Sequence, residues 1–177
     1  MPRCACYAPV VERHFTVSGF VVADGRTLLH WHRKLQLWLP PGGHIDPDED
    51  PVQAVLREAL EETGYACEVV PHEEPLPFSN VGQLPSPMKI IVADVGATET
   101  QLAHQHIDMS YALRPLPGVV QAPTDHDHGF IWVSANELRR DEPLRVAACG
   151  VEVPAPDDVR VIGLRAIELV SGVEQRE

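Results

Sequence analysis

A chain of 177 residues with 44% hydrophobic and 23% charged side chains is the size of one domain with one sizeable core, so a single domain over residues 1–177 is expected. The formal net charge of −12 argues against a long nucleic acid as partner, because phosphate backbones are bound by basic surfaces that release counterions; a small phosphate substrate carried with a metal ion stays compatible. No apolar run approaches the roughly eighteen residues of a membrane span, and the N-terminal MPRCACYAP lacks a secretory apolar segment, which together predict no membrane partner and a cytoplasmic location.

Residues 1–13 have no periodicity and read as an extension. His14–Ala23, rich in aromatic and β-branched residues, and Thr27–Trp31 read as strands joined by the hairpin signal Asp24-Gly25. Leu35–Leu39 alternates as a short strand that Pro40-Pro41-Gly42-Gly43 breaks and turns. Asp50 caps a helix opened by Pro51 and closed by Gly64, in which Val52, Val55, Leu56 and Ala59 build one apolar face. A strand over Ala66–Val70, a loop over residues 71–87, strands over Met88–Ala93 and His106–Leu113, and a second loop over residues 114–128 follow. Phe130–Val133 reads as a strand, and the capping box Ser134-x-x-Glu137 opens a short helix through Leu138. Asp157 or Asp158 caps a final helix, residues 157–172, whose Val159, Ile162, Ala166, Leu169 and Val170 share a face. Strands interleaved with a few one-faced helices predict an α/β fold with a mixed sheet covered on both sides. Cys4, Cys6, Cys67 and Cys149 show no CxxC pair or repeated spacing and read as free thiols.

The helix after Asp50 carries the chemical signal. Glu58, Glu61 and Glu62 stand at i, i+3 and i+4, where each like-charged pair costs roughly 0.2–0.5 kcal/mol. Glu61 and Glu62 also sit in the last turn, where the helix dipole disfavours them. A helix of purely structural purpose would relieve both conflicts with lysine or glutamine, so a hard divalent cation is the simplest compensating partner. A solvated acidic face is the bland alternative, weakened here by the PPGG turn and the further acids before the helix.

The pattern Gly43, five residues, Glu49, seven residues, Arg57-Glu58-Ala59, one residue, Glu61-Glu62, one residue, Gly64-Tyr65 resembles the Nudix box of the Nudix hydrolases. Ala59 and Tyr65 stand where that family has Ile, Leu or Val, and every charged position matches. The resemblance implies an α/β/α sandwich with the box helix against a central mixed sheet, and a metal-dependent hydrolase cleaving a phosphoanhydride bond of a nucleoside diphosphate linked to another moiety. It implies Mg²⁺ or Mn²⁺ as cofactor, with Glu58, Glu62 and the Gly42 carbonyl as ligands, and Glu61 as ligand or as the base that activates water. Glu49 and Arg57 match positions that pair and brace the loop beside Gly43. A non-catalytic nucleotide-sensing domain and a prenyl-diphosphate isomerase are the competing members. The first commonly lacks box carboxylates that this chain keeps; the second needs a cysteine placed for proton transfer, for which Cys67 is no evident match.

Other residues are candidates on weaker grounds. Asp125 and Asp127 in TDHDHG are alternative bases or substrate contacts, with a solvated loop as the plainer reading. Alternation along a strand puts His104, His106 and Asp108 on one face. A zinc site would suit them, but one strand without a distant ligand favours phosphate-facing or structurally satisfied histidines. His30, His32, Arg33 and Lys34 are placed for phosphate contacts or are simply exposed strand ends. The substrate-selecting motifs of the family are largely missing, which leaves the leaving group open.

Overall fold

The fold was obtained as a computed structural model, which describes residues 11–97, 102–120, 129–147 and 149–174. Its first strand, β1 (Arg13–Ala23), turns through Asp24 and Gly25, at φ 50° and 67°, into β2 (Arg26–His32). Both central residues are left-handed, as the tight hairpin requires, and Ala23 pairs with Arg26. The next strand, β3 (Leu37–Leu39), is shorter than the alternation from Leu35 predicts. Residues 33–36 instead form a turn, with Gln36 at φ 54° and its N–H bonded to the His32 carbonyl at 2.7 Å.

The PPGG segment does more than turn. Gly42–His44 forms a strand, β4, antiparallel to β1 with Thr16 opposite His44 and Ser18 opposite Gly42. A Cβ on Gly42 would lie 2.2 Å from the Val17 carbonyl oxygen, so only glycine allows this approach. Helix α1 (Pro51–Thr63) follows, then β5 (Tyr65–Val69), β6 (Lys89–Val95) and β7 (His104–Val120). The loop expected from residue 114 is therefore strand as far as Val120. β5 pairs with this continuation, Cys67 opposite Pro115 and Tyr65 opposite Val120, and a register shift between Tyr65 and Cys67 accommodates prolines that have no N–H for the ladder.

The remaining elements are β8 (Phe130–Ser134), α2 (Ala135–Arg140), the small pair β9 (Leu144–Arg145) and β10 (Glu152–Val153), and α3 (Asp157–Glu174). Asp157 and Asp158 lie inside the first turn of α3 and do not cap it; the Pro156 carbonyl accepts the Arg160 N–H at 2.9 Å. The helix also runs past Gly172, which keeps a helical conformation. Ser134 and Glu137 form the expected capping box of α2.

The described strands other than β9 and β10 form one mixed sheet. Its centre is β1 running parallel to β7, with His14 opposite His106, Thr16 opposite Asp108 and Val21 opposite Leu113; the other pairings are antiparallel. Alternation along β1 divides the core between the two faces. Val17 and Val21 pack against Val55 and Ala59 of α1, and Phe20 and Val22 pack with Ile162, Ala166 and Val170 of α3. The sheet is thus covered by α1 on one side and by α2 and α3 on the other, an α/β/α sandwich. Cys67 is buried and Cys149 exposed, both as free thiols, whereas Cys4 and Cys6 lie outside the described residues. Among the described residues no helix is long and apolar enough to cross a membrane.

Candidate active site

The phase of α1 is fixed at both ends. Asp50 accepts from the N–H groups of Val52 and Gln53 at 2.8 and 2.9 Å, and the Gln53 side chain accepts from the Asp50 N–H at 3.0 Å. Gly64, at φ 76°, returns its N–H to the Leu60 carbonyl and ends the helix. With Val55 and Ala59 turned fully inward, Glu58 and Glu62 face β4. The Gly42 N–H donates to Glu62 Oε2 at 3.1 Å, and a Cβ on Gly43 would fall 2.3 Å from Glu58 Oε1. Two carboxylates therefore flank the two glycines.

Arg57 is the hub of the cluster. Its Nε and Nη2 donate to the two Glu49 oxygens at 2.7 and 2.9 Å, Nη1 donates to Glu58 at 2.8 Å and to Glu61 at 3.3 Å, and Nη2 also reaches the His44 carbonyl at 3.1 Å. The planar fork thereby ties the loop before α1, the helix and β4 together, which a lysine could not do. Hydrogen bonding to Glu49 first, then to Glu58, raises the arginine pKa despite partial burial, and the same contacts hold the Glu49 carboxyl below its ordinary range.

Beside this cluster lies a cleft of about 320 Å³ lined by Glu62, Gly42, Gly43, His44, His30 and Asp108, among others. A second hollow of about 320 Å³ shares Thr16, Ser18, Leu39, His106 and Asp108 with it and continues between the sheet and α3, over Phe20, Ile91 and Ile162. One end is thus polar and carboxylate-lined, the other apolar. A larger hollow of about 590 Å³ between β5 and the end of α3 contains none of the box residues. Asp108, at the junction, is 8% exposed and accepts from the hydroxyls of Thr16, Ser18 and Ser110 at 3.0, 3.0 and 3.1 Å. Burial raises its pKa, and the three donors oppose the rise.

Four histidines gather at the rim, from three strands. His14 and His44 approach at 3.3 Å between Nδ1 and Nε2, and His104 and His106 at 3.1 Å between their Nε2 atoms. Burial lowers the pKa of His106 to about 4, helped by the neighbouring imidazoles of His44, His104 and His14. Burial likewise lowers that of His44, with His14 and His104 adding to the effect and Glu58 and Asp46 opposing it.

The structure thus brings Glu58, Glu61, Glu62, Glu49, Arg57, Gly42 and Gly43 into one cluster. His30 and His32 line the adjoining cleft, while Arg33 and Lys34 lie exposed in the turn that follows them. Asp125 and Asp127 lie outside the described residues. His104, His106 and Asp108 do share a face. Their partners His14 and His44 come from other strands, and only the parallel register of β1 with β7 and the antiparallel register of β4 with β1 reveal them.

The NUDIX domain model matches residues 12–148, and the chain belongs to that family. A NUDIX-family hydrolase from Clostridium perfringens has a similar fold, with a TM-score of 0.68 and 27% identity over 90% of this chain and 99% of that one. A putative 8-oxo-dGTP diphosphatase of Bacillus subtilis is 41% identical over 54 residues, 29% of this chain and 36% of its own. A CMP-5'-(N-acetyl-N-hydroxy-3-aminopropyl)phosphonate hydrolase of Streptomyces rubellomurinus is 37% identical over 97 residues, 48% of this chain and 45% of its own. The chain therefore spans less than half the length of these two relatives.

Proposed function

We propose that the protein is a divalent-metal-dependent hydrolase that cleaves a phosphoanhydride bond of a nucleoside diphosphate linked to another moiety. The observation that carries this reading is the placement of Glu58 and Glu62 against the β4 glycines, in a carboxylate cluster that Arg57 ties together through Glu49, Glu58 and Glu61. Carboxylate oxygens and a backbone carbonyl are the donors that Mg²⁺ or Mn²⁺ takes, so the residues present fit such an ion. In this reading Glu58, Glu62 and the Gly42 carbonyl hold the metal, and Glu61, with its side chain 54% exposed, is a further ligand or the acceptor of the proton from the attacking water. Bound ions of this kind neutralise phosphate oxygens and make water a better nucleophile. Arg57 and Glu49 keep the loop and helix in register, and Gly43 leaves room for the Glu58 carboxylate.

The cleft supports a substrate with two unlike ends. Its polar end adjoins the glutamates and His30, and its apolar arm, with Asp108 as acceptor at the entrance, suits an organic group that carries hydrogen-bond donors. The nucleotide substrates in the names of the Bacillus and Streptomyces relatives agree with that class. Asp125, Asp127 and Arg33 remain proposed bases or substrate contacts. An isomerase-type role for Cys67 is disfavoured, because burial in the α1-side core pushes its thiol pKa up to about 12.

Turnover measured with Mg²⁺ and with Mn²⁺ across nucleoside di- and triphosphates, sugar nucleotides and dinucleotides tests the reading. Metal-dependent release of a nucleoside monophosphate is expected. Tight binding of an intact nucleotide without cleavage would point to a sensor.

A further inference from the structure

We propose that His14, His44 and His106 form a second metal site, for Zn²⁺ or a similar imidazole-preferring ion, which clips β4 onto β1 and β7. It is built from imidazoles to which the hydrolytic reading gives no part in the reaction, although His44 and His106 line the same cleft. One ring nitrogen of each of the three lies within 4.8 Å of the others. The contact between His14 Nδ1 and His44 Nε2, 3.3 Å, equals the spacing of about 3.3 Å that two ligands of a tetrahedral ion have when each Zn–N bond is about 2.0–2.1 Å.

The surrounding bonds orient the rings as ligands are oriented. Glu12 Oε1 lies 3.1 Å from His14 Nε2, and a carboxylate can only accept, so the proton of His14 sits on Nε2 and its Nδ1 lone pair faces the cluster. The Leu102 carbonyl, 2.9 Å from His104 Nδ1, fixes that ring in the same way and turns its Nε2 towards His106, placing His104 as the adjacent candidate for a fourth ligand. Carboxylate and carbonyl acceptors behind imidazoles are the usual outer partners of metal-bound histidine. Softness separates this site from the glutamates. Imidazole suits Zn²⁺, Ni²⁺ or Cu²⁺, whereas carboxylate and carbonyl oxygens suit Mg²⁺ and Mn²⁺.

The ligands come from three strands whose positions matter to the cleft. His44 ends the strand that carries Gly42 and Gly43, and Thr16, two residues after His14, faces both His44 across the antiparallel pair and Asp108 across the parallel one. An ion here ties the glycine strand to the centre of the sheet. Occupancy should therefore slow amide exchange in β4.

The test uses chelator-stripped full-length protein and ZnCl₂ in the presence of excess Mg²⁺. Calorimetry should give one Zn²⁺ per chain. His44→Gln and His106→Gln should each weaken binding by at least about tenfold, while His72→Gln, in the loop after β5, and Glu62→Gln leave it unchanged. X-ray absorption of the Zn²⁺-loaded wild type should show imidazole scattering, and hydrogen exchange should slow at Gly43 and His44. The absorption measurement needs no variant and so stands even if a histidine replacement fails to fold. A carboxylate-only coordination shell, loss of binding in Glu62→Gln, displacement by Mg²⁺, or no stoichiometric binding would each overturn the proposal, and none of them would bear on whether the glutamates support hydrolysis.

Discussion

Gly42 and Gly43 are neighbours in β4, yet they exclude a side chain for different reasons, and replacing each by alanine should separate them. At Gly42 the added carbon meets the Val17 carbonyl at 2.2 Å, with the Ser18 Cα at 3.0 Å, so backbone must move and β4 loses its pairing with β1. Gly42→Ala should cost about 2–3 kcal/mol, read as a lower melting temperature. At Gly43 the obstacle is the Glu58 carboxylate, the end of a flexible side chain that can swing aside. Gly43→Ala should melt within a few degrees of wild type while losing turnover by about 100-fold, because a ligand displaced by an ångström is a ligand misplaced. Glu49 gives the acid dependence at this scale. Its folded pKa is depressed by Arg57, so between that value and the unfolded one of about 4.3 the unfolded chain binds more protons. The stabilisation is therefore present above about pH 4.3 and lost as pH falls through the folded value. Melting of wild type and Glu49→Gln should differ at neutral pH and converge in acid; a constant difference would assign the contact to packing.

Helix α1 carries stability on one face and the proposed chemistry on the other. Val55 is fully buried and packs over Gly19, where a Cβ would come within 3.0 Å of its Cγ2. Val55→Ala should cost about 1–2 kcal/mol and leave metal-dependent turnover near normal. Glu62→Gln keeps an oxygen for the Gly42 N–H and removes a negative charge from the last turn, so apo stability should hold within about 0.5 kcal/mol. Turnover should nonetheless fall by about 100-fold or more. Paired melting and kinetics on the two variants check both halves. The division was legible beforehand, since Pro51, Gly64 and the spacing of Val55 and Ala59 determine which way Glu58 and Glu62 point. What Arg57 does was only half legible. Its pairing with Glu49 is what the resemblance to the Nudix box implies and its reach to Glu61 follows from the i, i+4 spacing, but the bonds to Glu58 and to the His44 carbonyl emerge only in the fold. β4 itself was hidden because PPGG reads as a turn, and the reason for Gly42 is the Val17 backbone, about 25 residues earlier, which no local pattern reports. The continuation of β7 through Pro115 and Pro117 was hidden for a similar reason. Proline speaks against a strand locally, and only β5 opposite makes the strand.

At the scale of the whole molecule, the cleft exists because β1, β4 and β7 meet where α3 leaves part of the sheet uncovered, with the box carboxylates at one end and apolar side chains of the sheet and α3 at the other. The pairing that makes this possible joins segments far apart in the chain: Thr16 and Asp108, opposite each other and hydrogen-bonded, are 92 residues apart. Distance along the chain becomes time when the protein is made. At about 5–20 residues per second a ribosome releases β7 roughly 5–20 s after β1. During that interval the β1–β2 hairpin has its tight turn, but Val17 and Val21 have no β7 to lie beside, and the order of assembly is set by this delay. Refolding should show the same order, because local hairpins close in microseconds while the long-range parallel pair waits on a large loop. Pulsed hydrogen exchange should find the amides of the Asp24-Gly25 hairpin protected before those linking β1 to β7. Simultaneous protection would mean that the centre of the sheet nucleates folding. On the expected order β1 and β7 are joined well after the hairpin closes, and a nascent chain must keep Val17, Phe20, Val21 and Val22 from other partners until β7 arrives.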